Sequence, residues 1–169
     1  MRDGNHRTVE LQKLSWQNKN EKHQGQGTIS LPGISDNYLN IILDLYGTEF
    51  NDSFGELYLV AKSLNITPWL SSTISKDIKS VQSDINFELW SRIDKGLFKS
   101  IQLQWQPSTL SWDLNNIEQN FAITSGTLRF KPTEMGWLLN SSDLMMSSNH
   151  AAWPNMNLEV ERNKYQFKG

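Results

Sequence analysis

Histidines, carboxylates and serines are the residues of this chain with types suited to chemistry, and their spacing decides what they can do. His6, His23 and His150 lie far apart, and none has a second histidine two or four positions away. Chelation from one element needs such spacing, so they read as surface histidines. Asp84 and Glu88 fall on one side of an alternating stretch, as a glycosidase carboxylate pair would. Four residues of extended chain span about 13 Å, however, too far for a retaining or an inverting pair. They read as solvated charges. Serines are plentiful, yet there is no Gly-x-Ser-x-Gly elbow, no Walker loop and no Gly-x-Gly-x-x-Gly. The sequons at Asn51-Asp52-Ser53, Asn65-Ile66-Thr67 and Asn140-Ser141-Ser142 match what a chain rich in Asn and Ser gives by chance. With no cysteine, a thiol nucleophile, a thiolate metal site and a disulfide are excluded. Nothing here argues for an enzyme, a metal or a cofactor.

The elements that would position any site are strands. Val81, Ile85, Phe87 and Leu89 alternate with Gln82, Asp84, Asn86, Glu88 and Trp90, and Ile101, Leu103 and Trp105 interleave with Gln102, Gln104 and Gln106. Successive strand side chains point to opposite faces, so each stretch has one apolar and one polar face. Repeated along the chain, this pattern predicts a mostly β protein, a long antiparallel meander with a large apolar surface to place against something. The phase changes around Lys13, between Leu11 and Leu14, as at a bulge. Residues 17–24 read as a polar turn and Gly27–Leu31 as a second strand; further strands follow over Leu39–Tyr46 and from Gly55. One short helix is expected near 67–75, with Thr67 as N-cap and Pro68 at its first position. Later strands are expected near 81–92, 97–106, 109–114, 119–131, 136–147 and 156–167. The separating turns are Asp94-Lys95-Gly96, Gln106-Pro107-Ser108, Asn115-Asn116 and Thr133-Glu134-Met135-Gly136.

Composition fits a one-faced sheet. Hydrophobic residues make up 37%, and the 10 glycines raise this to about 43%, slightly under the usual globular share. The net charge is -2 with no basic block, which argues against nucleic acid. No apolar run approaches bilayer-spanning length, and the first residues lack the apolar core of a signal peptide. A complete protein of this kind would be cytosolic; a fragment carries no such implication. The seven tryptophans are spread over nearly every element, as bulk core residues would be. Trp90 alone lands on the polar side of its strand, as a contact to a neighbouring element or an exposed binding residue.

Several motifs in order resemble one family. Gly55-Glu56-Leu57-Tyr58-Leu59-Val60 is followed by Leu64-Asn65-Ile66-Thr67-Pro68-Trp69-Leu70, then Phe87-Glu88-Leu89-Trp90, Ile93-Asp94-Lys95-Gly96, Gly136-Trp137 and Trp153-Pro154. From about Val9 to Val160 the chain resembles the N-terminal region of the YhdP branch of the AsmA-like proteins, large envelope proteins of Gram-negative bacteria. The resemblance implies one segment, residues 1–169, of a longer periplasmic body anchored to the inner membrane by a helix absent from this chain. It implies a curved, open β-trough with an apolar inside, associated with moving phospholipid between inner and outer membranes. It carries over no catalytic residue and no cofactor.

On that reading the partners are phospholipid acyl chains and, at both sheet edges, the remainder of the chain's own parent. The lipid-groove candidates are Ile85, Phe87 and Leu89 on one strand and Ile101, Leu103 and Trp105 on the next. Ordinary sheet core is the competing role for these six. A carbohydrate-binding β-sandwich would instead close two sheets face to face and cluster tryptophans on one outer face. A structural spacer would fill its groove with its own side chains.

Overall fold

The computed structural model describes residues 10–30, 38–67, 78–163 and 166–168. Their strands are β1 (Glu10–Lys19), β2 (Lys22–Ser30), β3 (Tyr38–Tyr46), β4 (Phe54–Leu64), β5 (Ile78–Asp94) and β6 (Leu97–Trp105). Then come β7 (Ser108–Leu114), β8 (Ile117–Thr133), β9 (Gly136–Ser148), β10 (Ala151–Ala152), β11 (Met156–Asn163) and β12 (Gln166–Lys168). All 12 belong to one antiparallel sheet, whose path runs β1-β2-β3-β4-β5-β6-β8-β9-β11-β12. The meander expected from alternation is therefore observed. Most of the helix expected near 67–75 lies outside the described residues.

Tight turns set the register. Lys95-Gly96, Asn115-Asn116 and Asn149-His150 each join two strands with both turn residues at positive φ, the handedness that matches strand twist. Two expected turns are corrected. Residues 17–24 are mostly strand, and only Asn20-Glu21 turns between β1 and β2. Gln106-Pro107-Ser108 is not a hairpin at all: β6 pairs with the second half of β5, and β7 continues in the same direction along its first half. Proline and the missing N–H have the composition of a turn, but here they make a bulge within one long, interrupted strand.

That bulge is one of a set. On β1, β4, β6–β7, β8 and β9, successive apolar-side positions lie three residues apart at one place instead of two. These steps are Leu11 to Leu14, Ala61 to Leu64, Trp105 to Ser108, Ile123 to Gly126 and Ser141 to Leu144. The ladder puts Leu11, Ile29, Leu39, Ala61, Phe87, Trp105 and Gly126 opposite one another in one row. All five slips thus lie within one row of each other and form a line of bulges, a crease in register, across the sheet.

Asn86, on β5 at the crease, ties two slips together. Its side chain accepts the Ser63 N–H at 2.7 Å and donates to the Pro107 carbonyl at 2.8 Å. Its backbone N–H donates to the buried Ser108 hydroxyl, and its carbonyl accepts the Gln106 N–H. At β8, Gly126 has φ +151° and Leu144 Cδ1 would lie 2.7 Å from any Cβ there, so the crease requires glycine at that point.

Removing the Asn86 amide leaves the Ser63 N–H and Pro107 carbonyl without these partners in a part-buried site. Asn86→Ala is expected to lower unfolding free energy by about 2–3 kcal/mol in urea titrations. A loss under about 0.5 kcal/mol would show that the crease holds without it.

Candidate functional site

Residues directly opposite in an antiparallel ladder share a face, so the pairing identifies one surface. A second row runs Leu14, Gly27, Ile41, Leu59, Leu89, Leu103, Leu128, Ser141, Leu158 across nine strands. A third runs Trp16, Gly25, Leu43, Leu57, Ser91, Ile101, Phe130, Leu139, Val160. With the row through Phe87, these three contain no charged side chain. Nine strands at about 4.8 Å span roughly 40 Å across the ladder.

The six residues singled out in the sequence meet on this face. Phe87 stands opposite Trp105 and Leu89 opposite Leu103; Ile101 faces Ser91, and Ile85 faces Leu64. The Phe87 and Trp105 rings meet edge to face, with centroids 6.0 Å apart. All six are half-buried. No second sheet is available to cover them among the described residues, because all 12 strands belong to one sheet and touch their ladder neighbours. Only Leu45, Ala61, Ile93 and Leu144 are buried apolar residues there. The described strands therefore form one sheet and not the two closed sheets of a sandwich.

The face extends further than alternation alone revealed. Leu11, Leu14 and Trp16 on edge strand β1 are 56%, 67% and 52% exposed. On β2 the apolar-side positions include Gly25 and Gly27, which have no side chain to display the pattern. β1 fills them: Trp16 ring atoms lie 2.6–2.7 Å from where a Cβ of Gly25 would be. The same ring stacks on His23, whose nitrogens contact Asn18 Oδ1 and the Gly47 carbonyl, both at 2.8 Å. A glycine alternating with Gln24, Gln26 and Thr28 was the available signal.

The opposite face carries the polar residues. Tyr58 donates to Glu88 Oε2 at 2.8 Å, and burial together with this bond pushes the Tyr58 hydroxyl above its ordinary titration range. Glu88 also accepts from Gln106 Nε2, so it is engaged on the sheet and not merely solvated. Asp84 accepts from Asn86 Nδ2. Trp90 both touches a neighbour, Tyr58 at 5.5 Å, and stays 38% exposed. Among the described residues no group of three or more His, Asp or Glu could hold a metal. Nor is any helix there long and apolar enough to cross a membrane, which leaves strand-crossing unaddressed.

A family model described as YhdP protein matches residues 1–169. The chain is similar to the intermembrane phospholipid transporter YhdP of Escherichia coli (strain K12), at 22% identity over 153 residues. That alignment covers 89% of this chain but 12% of the relative, so the chain spans a small part of that protein's length. No solved structure matches.

If Trp16 packs on Gly25 as described, Gly25→Ala must lift the ring. Amide hydrogen exchange in β1 is expected to quicken about tenfold while β4–β6 stay unchanged. Unchanged protection in β1 would refute that packing.

Proposed function

The chain belongs to the YhdP family, and on that footing we propose that it is a segment of a lipid-transfer body carrying phospholipid between the inner and outer membranes. The observation that carries this reading is the uncharged apolar face, three rows deep, with no second sheet to cover it among the described residues. Soluble proteins rarely leave more than a few hundred Å² of contiguous apolar surface open without a partner. Each acyl CH₂ placed against such a face is worth roughly 0.8 kcal/mol, so apolar contact alone suffices to hold a chain.

Ile85, Phe87, Leu89, Ile101, Leu103 and Trp105 would form the middle of that acyl-binding surface. The crease supports a trough, because bulges bend strands and five at nearly one height bend the sheet along one line. Within the described residues β1 and β12 each pair on one side only. The remainder of a longer chain would continue the sheet at both edges, which otherwise invite aggregation. Periplasmic placement, inner-membrane anchoring through another segment and a contribution to the envelope barrier follow from the same proposal, supported by the similarity to the E. coli transporter. Non-covalent holding of acyl chains requires no catalytic group.

The test is to purify the chain from Escherichia coli, extract it with organic solvent and quantify phospholipid by mass spectrometry. Near-stoichiometric lipid is expected. Leu103→Glu should lower it at least tenfold with the β-sheet circular dichroism retained, since a buried carboxylate costs several kcal/mol. Gln102→Glu, one residue away on the polar face, should leave it unchanged. A folded protein that carries no lipid, or equal losses in both variants, would overturn the reading.

A further inference from the structure

The polar face has a feature that lipid holding does not use. Four aromatic rings stand there among charges: Tyr46 with Phe54, centroids 5.6 Å apart and nearly parallel, and Tyr58 with Trp90. Tyr46, Phe54 and Trp90 are 38%, 54% and 38% exposed. The ladder sets the two pairs four residues apart along β4, about 13 Å, with Glu56 opposite Arg92 between them. Two shallow hollows of about 480 and 310 Å³ lie over these pairs, and Glu56 and Arg92 line both. Their combined size suits a ligand of a few rings.

The charges around the hollows cancel. Lys22 pairs with Asp44 at 3.3 Å and Lys99 with Asp94 at 3.6 Å. Glu56 and Arg92 face each other across the ladder, yet among the described residues neither side chain has an ion-pair or hydrogen-bond partner. An anionic ligand would meet the carboxylates of Asp44, Glu56, Glu88 and Asp94, and a cationic one Lys22, Arg92, Lys99 and Arg129. Lys22 Nζ lies 5.2 Å over the Tyr46 ring centroid, so a neutral ligand meets a free acceptor and a free five-donor fork between the open ring surfaces of Phe54 and Trp90.

From this we infer that the face opposite the apolar rows binds a neutral oligosaccharide, with pyranose rings on the aromatic pairs and hydroxyls on Glu56 and Arg92. Carbohydrate has the required combination: apolar C–H faces with hydroxyls that both donate and accept. The inference is independent of lipid holding, since its residues occupy the other face.

Cellohexaose, maltohexaose and chitohexaose, each titrated into the ¹⁵N-labelled chain, test it by NMR. At least one should shift the Trp90 indole and the amides of residues 46, 54, 56 and 92 saturably, with a Kd on the order of 1 mM or below. Phe54→Leu and Trp90→Leu keep apolar bulk and remove the ring; each should weaken binding about tenfold. Glu118→Gln, at the far end of β8 from the hollows, should leave it unchanged. No shift with any sugar at about 10 mM would overturn the inference. So would unaltered binding in both Leu variants, or shifts that track protein concentration and mark a second copy of the chain as the occupant.

Discussion

Strand side chains alternate with a period of two, so a slip of one residue turns a whole apolar row to the wrong face. Everything in this sheet depends on how that constraint is met. The slips at Leu11–Leu14, Ala61–Leu64, Trp105–Ser108, Ile123–Gly126 and Ser141–Leu144 each insert one extra residue. Beyond each slip the sequence phase changes, and the face does not. A continuous apolar surface is thus kept in phase across the slips by one device, the bulge, which also bends strands. Asn86 satisfies the backbone groups that two of these bulges release.

A single sheet with no second sheet against it has few places to bury side chains, which is why only four apolar residues are buried among those described. Its cohesion comes from the hydrogen-bonded ladder and from cross-strand pairs such as Phe87–Trp105 and Phe130–Trp137. Glycine has a positive role in that economy: Gly25 lets Trp16 lie across β2, and Gly126 lets Leu144 close against β8. The large half-exposed face left over is the property that the proposed function uses.

Much of this was legible in the sequence, because local patterning governs most of it. The alternation in β5 and β6 identified six residues that do share one face, and the phase change near Lys13 marked a true bulge. Lys95-Gly96 and Asn115-Asn116 announced their turns through residues that tolerate positive φ. Gln106-Pro107-Ser108 was unreadable for a specific reason: a bulge and a hairpin use the same residues, and what distinguishes them here is Asn86, twenty residues earlier. The first half of β2 was concealed at Gly25 because the pattern it belongs to is completed by the Trp16 side chain of another strand, whereas the half from Gly27 reads as strand. The aromatic pairs of the polar face likewise form across strands, so only Trp90, breaking its own alternation, pointed to them.

Leu103 and Gln102 are neighbours on β6 that face opposite ways, which makes them the sharpest comparison. A photo-reactive residue placed at each in turn, in cells, reports what each face touches. Phospholipid adducts at 103 and none at 102 are expected if the apolar rows hold lipid. Adducts to a covering protein segment at 103, or lipid equally at both, would contradict it.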